Sequence, residues 1–181
     1  IAGQSLTVTL KADGGADLSI TGEGKADLGR STIDMSLKGK AGSRLFNDRL
    51  AKSGLRAEGN FSFDLRIAGP LAKPAINGEL ALAKGFIGDT AGQFTAREAQ
   101  GRASISGNVI RIVSLTGKTG RKGTASASGT ISLDASLNAD LRVNIKDGIY
   151  TDGSFVTSRY NADLAIRGPL RGGPAVTGEA G

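Results

Sequence analysis

Residues 123–146 read GTASASGTISLDASLNADLRVNIK, and their alternation decides the fold. Every odd position from 131 to 145 is apolar: Ile131, Leu133, Ala135, Leu137, Ala139, Leu141, Val143 and Ile145. Every even position from 130 to 146 is polar or charged. Side chains alternate between faces along a strand, so the run predicts β structure with one apolar and one wet face. At about 3.3 Å per residue, positions 131–145 would span roughly 50 Å, far beyond an ordinary strand. Either one very long strand forms, or a turn near Asp134–Ser136 folds the run into two.

The same period returns along the chain. Leu6, Val8 and Leu10 alternate with Thr7, Thr9 and Lys11, and a second run occupies residues 16–28. Ile33, Met35 and Leu37 follow, then the bulkiest block, Phe61, Phe63, Leu65 and Ile67. Ile76 to Leu82, Ala103 to Ile105, Ile110 to Val113 and Tyr160 to Ile166 continue the theme. Gly-rich turn signals such as Asp13-Gly14-Gly15 and Gly107-Asn108 separate the blocks, which predicts repeated antiparallel strands. Residues 89–101 are poorly periodic and predict a loop around a short strand at Gln93–Ala96. Asp147-Gly148 predicts a turn, with a short strand at Phe155 and Val156. Ser43–Gly54 carries Leu45, Phe46 and Leu50 at helical spacing, between a candidate N-cap and a candidate C-terminal glycine. It predicts one short amphipathic helix near 44–53, closing one end of the sheet or serving as a lid.

Composition narrows the chemistry. The 181 residues contain 28 Gly but no His, Cys or Trp. Serine–histidine and thiol nucleophiles are therefore excluded, as is an ordinary zinc site. Gly117-Lys118-Thr119 ends like a phosphate-binding loop, but position 112 is Ile where that motif needs Gly. Asp and Glu fall mostly on the wet faces of strands, as solvated surface does. No enzyme activity and no cofactor or metal are expected. The net charge of +6 favours anionic partners in general. The basic residues are nevertheless scattered, with one tight cluster at Lys118, Arg121 and Lys122, and stacking aromatics are scarce. Nucleic acid is not an expected partner. No run of about 18 apolar residues predicts a spanning helix. Eight scattered aromatics make a poor girdle for a membrane barrel, and no strict repeat of about 20–30 residues marks a β-solenoid adhesin.

An internal repeat is present. Residues 64–80, DLRIAGPLAKPAINGEL, align with residues 163–180, DLAIRGPLRGGPAVTGEA, at an offset of 99 through Leu71 and Leu170, then 100. A strand ends in Gly-Pro-Leu, a linker carries a second Pro, and a new strand opens Ala-(Ile/Val)-x-Gly-Glu. The frame at 69–80, with the order Ile110-Arg111-Ile112, Gly129-Thr130-Ile131, Ala139-Asp140-Leu141 and Gly168-Pro169-Leu170, resembles the recurring motif of the AsmA-like envelope proteins. The resemblance implies a β-taco, an elongated, curled, antiparallel-rich sheet forming a trough with an apolar lumen, with residues 1–181 as one segment of a longer repetitive protein. It further implies a periplasmic location, tethering to the inner membrane by a segment outside this one, and an outer-membrane barrel subunit as partner. Transfer of phospholipid or other acyl chains, or assembly of outer-membrane protein clients, is the implied role.

The residues themselves leave two outcomes open. An interior as lean as Gly123, Ala125, Ala127, Gly129, Ala135 and Ala139 either closes very flat or leaves a channel. On the channel reading, the expected lumen residues are Phe61, Phe63, Leu65, Ile67, Ile131, Leu133, Leu137, Leu141, Val143, Ile145, Leu164 and Ile166. Exposed strand edges offer a different function, pairing with client strands.

Overall fold

The computed structural model describes residues 5–15, 18–42, 55–89, 95–151, 157–170 and 173–181. They form β1 (Ser5–Asp13), β2 (Leu18–Asp27), β3 (Thr32–Gly42), β4 (Leu55–Pro70), β5 (Ala75–Asp89), β6 (Thr95–Ser106), β7 (Val109–Thr119), β8 (Gly123–Ser132), β9 (Asn138–Thr151), β10 (Thr157–Pro169) and β11 (Ala175–Ala180). Each strand pairs antiparallel with the next, giving one open sheet in the order β1 to β11. No α-helix occurs among the described residues. The helix expected at 44–53 and the strand expected at Phe155–Val156 fall outside them.

The decisive run folds in two. A turn separates β8 from β9, and the Asp134 carboxylate holds it. Asp134 accepts the Ser132 hydroxyl at 2.7 Å and the Ser136 and Leu137 amides at 2.9 and 2.8 Å. The register then sets Ile131 opposite Ala139, Gly129 opposite Leu141 and Ala127 opposite Val143. Directly opposed residues share a face, so odd against odd keeps the apolar sides of both strands together.

Two expectations fail for one reason. Residues 97–101 lie within β6, not in a loop, and Asp147-Gly148 lies inside β9, not at a turn. Ladder shifts at Arg97–Gln100 and Tyr160–Ala162 insert extra residues there, with Glu98 and Asp147 at φ 51° and 50°. A bulge resets the period of two, so the sequence pattern blurs although pairing continues. Further shifts at Glu58–Asn60 and Leu82–Ile87 lie on the same side of the sheet's middle. Bulges bend a strand and increase its twist.

Core formation is unusual. The buried apolar side chains among the described residues are Ala26, Ala41, Ala96, Ala99, Ala139, Ala162, Met35, Ile105 and Ile145. A two-layer core would bury its Leu and Phe. Here those among the described residues remain half-buried or, like Leu6 and Leu10, exposed, and the described residues form a single layer.

Candidate functional site

Cross-strand register arranges the apolar face into rows. One runs Ile20, Gly39, Phe63, Leu80, Ala103, Ile112, Gly129, Leu141, Ile166 and Val176. The next runs Leu10, Gly22, Leu37, Leu65, Gly78, Ile105, Ile110, Ile131 and Ala139. A third holds Ala41, Phe61, Leu82, Gly101, Leu115, Ala127, Val143, Leu164 and Gly178. Ten strand spacings make a complete row about 48 Å along the sheet.

Ten of the twelve expected lumen residues fall in these rows or beside them. Ile67 lies between Met35 and Ile76, and Ile145 between Ala125 and Ala162. Leu133 and Leu137 lie in the turn outside the strands, with Leu137 at φ 52°. All twelve are half-buried except Ile145, which is buried.

The glycines have a positional logic that composition alone hides. Gly22 sits between Leu10 and Leu37, Gly24 between Val8 and Met35, and Gly39 between Ile20 and Phe63. Gly78 sits between Leu65 and Ile105, Gly101 between Leu82 and Leu115, and Gly129 between Ile112 and Leu141. Large side chains fold over several of these gaps. A Cβ at Gly22 would stand 2.5 Å from a Leu37 methyl, at Gly39 2.7 Å from the Phe63 ring, and at Gly101 2.9 Å from a Leu115 methyl. Glycine is the floor that its neighbours cover. Much of each row is thus half-buried without a second layer among the described residues, while Leu10 and Val176 stay exposed.

A bulge keeps the rows in phase. Ile112 and Leu115 both reach the apolar face because the ladder shifts between them, and Val113 is thrown outward at 63% exposure.

The reverse face is polar. Arg66 makes a two-pronged ion pair with Asp34 at 2.9 and 2.7 Å, Lys38 meets Asp64 at 2.9 Å, and Arg167 meets Asp140 at 3.3 Å. The Arg66 hydrogen bond holds the Asp34 carboxyl below its ordinary value. Lys118 pairs with Glu98 across the β6–β7 ladder, so the basic cluster read from sequence is partly neutralised. A groove of about 1000 Å³ lies on this charged face, lined by Thr21, Lys38, Lys40, Asp64, Glu79 and Arg102 among others. Its lining also includes Gly39, Phe63, Leu80 and Ala103 of the Phe63 row, and the Lys38–Asp64 ion pair lies in its wall. Among the described residues, no three His, Cys, Asp or Glu side chains are grouped to hold a metal ion.

A single-layer antiparallel meander with one continuous apolar face and a charged reverse defines a class: proteins that offer a long surface, not a pocket. Residues 5–180 match the family model described as TamB C-terminal domain, and the chain belongs to the TamB family. The Gly-Pro-Leu resemblance to AsmA-like proteins is thereby narrowed. No curated protein and no solved structure matches the chain. Family membership makes this an envelope protein. No helix among the described residues is long and apolar enough to cross a membrane.

Proposed function

We propose that the apolar face is the wall of a trough that holds phospholipid acyl chains and passes them between inner and outer membranes. The observation behind this reading is the set of apolar rows crossing the sheet without an opposing layer among the described residues. An acyl chain laid along a row gains about 0.8 kcal/mol per methylene removed from water, as an upper guide. The rows contain only hydrocarbon and glycine, so successive positions are alike and a chain can slide without catalysis. Headgroups would remain at the open side, in water. On this reading the protein is periplasmic, is tethered to the inner membrane by another segment, and delivers to an outer-membrane barrel partner. On the same reading, its surface serves outer-membrane protein assembly by the same contacts.

The test is photo-crosslinking of lipid in the full-length protein from a photoreactive residue in the Phe63 row. Leu141→Arg should abolish labelling, because a charge beside Gly129 interrupts the row. Val113→Arg, on the exposed reverse face, should leave it unchanged. Equal labelling in the Leu141→Arg and parent proteins would overturn the proposal.

A further inference from the structure

The Gly-Pro-Leu repeat has a place in the fold that the apolar rows do not use. Every second turn of a meander lies at the same end of the sheet, so the turns β2–β3, β4–β5, β6–β7, β8–β9 and β10–β11 form one line of tips. Neighbouring tips stand about 10 Å apart and the line spans about 38 Å, from two and eight strand spacings. Leu71 and Leu170 close the two copies of the motif, and each occupies a tip. Leu28 lies in a third, and Val109 opens β7 beside a fourth. All four are between 39% and 46% exposed. Leu6 stands at the same end, opposite Ala26, while Tyr150 is the only large apolar residue so exposed at the other end among the described residues. Single exposed apolar residues are ordinary, but these are aligned.

The tips are tied to one another. Pro70 and Pro169 fix φ just before each motif leucine. The Leu71 amide donates to the Ser31 carbonyl of the neighbouring tip at 2.8 Å, the Leu133 amide to the Asn108 carbonyl at 2.7 Å, and the Leu170 amide to the Leu137 carbonyl at 3.2 Å. The Asn108 side chain joins the remaining pair, accepting the Ile76 amide at 3.1 Å and donating to the Pro74 carbonyl at 3.4 Å. The main chain of each motif leucine is thus bonded while its side chain is left out. Charge follows the same line. The tip carboxylates face their own turns: Asp27 accepts the Arg30 amide at 2.9 Å and lies 3.9 Å from its guanidinium, and Asp134 is filled by the β8–β9 turn. Lys73 and Arg111 are exposed at this end and have no ion-pair partner among the described residues. Position 171, next to Leu170, is a further arginine.

We infer that this end of the sheet is a lip that rests on the surface of an anionic phospholipid bilayer. Leu28, Leu71, Val109 and Leu170 enter the boundary between headgroups and acyl chains, and Lys73 and Arg111 meet the phosphates. A protein partner needs a contiguous packed core, which single side chains about 10 Å apart do not make. A fluid interface accepts each side chain separately, and its negative surface potential complements the unpaired cations. The inference concerns the end of the sheet and stands apart from the acyl-chain reading, which concerns the face.

The experiment mixes the 181-residue chain with vesicles of phosphatidylglycerol and phosphatidylcholine. The chain has no Cys, so one substitution places one bimane label. A label at Ala72→Cys should shift to the blue on binding, and one at Arg121→Cys, in the β7–β8 turn at the opposite end, should not. Leu71→Ser combined with Leu170→Ser should weaken binding about tenfold or more, the scale of two partly immersed leucines. Lys73→Gln should weaken it about fivefold, the value of one cation near an anionic surface. Val113→Ser removes an exposed apolar side chain from the middle of the sheet and should change nothing. Three outcomes each overturn the proposal: no binding to the anionic vesicles, an equal blue shift from the Arg121→Cys label, or an equal loss in Val113→Ser. The double leucine variant should keep lipid crosslinking in the Phe63 row, and Leu141→Arg should keep vesicle binding, so failure of either reading leaves the other standing.

Discussion

Thr119 gives the sharpest test of how this sheet is held together. It closes β7 opposite Gly123, is only 1% exposed, and its hydroxyl has no hydrogen-bond partner among the described residues. A Cβ at Gly123 would fall 2.3 Å from that oxygen and 2.1 Å from the Asp147 carbonyl. The hydroxyl is thus pressed over a glycine with no room for a longer group. A buried polar group without a partner costs about 1–3 kcal/mol. Thr119→Val replaces the hydroxyl with a methyl of nearly the same shape and removes that cost. The variant should gain about 1–2 kcal/mol, a rise in Tm of about 2–8 °C for a chain of this size. Thr119→Ser keeps the orphan hydroxyl but deletes a buried methyl, and should lose about 1 kcal/mol. Urea unfolding at constant m-value measures both. A Val variant no more stable than the parent would refute the reasoning, because the hydroxyl would then be satisfied in solution.

Three further outcomes follow from particular contacts. Gly129 has φ 137°, and a Cβ there would lie 2.1 Å from the Asp140 carbonyl; Gly129→Ala should therefore destabilise by about 1–3 kcal/mol or more, seen as a lower urea midpoint. The Ser132 hydroxyl above all, with the Asn138 amide and the Ser136 and Leu137 N–H groups, holds Asp134 below its ordinary value. A depressed carboxyl stabilises above its unfolded value, about pH 3.9, and that contribution is lost as pH falls from there through the folded value. The Tm difference between parent and Asp134→Asn should accordingly shrink between about pH 5 and 2, and a constant difference would discount the turn. Loss of lipid labelling in Leu141→Arg, with labelling kept in Val113→Arg, remains the outcome expected for the apolar rows.

The strands were legible because alternation is a local property, although it left open whether residues 131–145 run on as one strand or turn near Asp134–Ser136. The bulges were not. Glu98 and Asp147 look like loop residues in a linear pattern, since an extra residue exchanges the faces of everything after it. Leu133 and Leu137 share the parity of the expected lumen residues, but the turn between β8 and β9 places them outside the strands. The glycines were the least legible. Read along the chain, Gly123 and Gly129 among their alanines left open whether the interior closes flat or leaves a channel. Read across the ladder, each of six lies under two large neighbours, and that relation joins residues on three different strands. Leu10 and Leu37 are 27 positions apart in sequence, yet both flank Gly22. No periodicity within one strand carries that information; only register does. Register also converts the repeat from a curiosity of sequence into a physical constraint. Gly178 opposes Leu164 on β10 as Gly78 opposes Leu65 on β4, so the repeat preserves which large side chain lies across from which glycine.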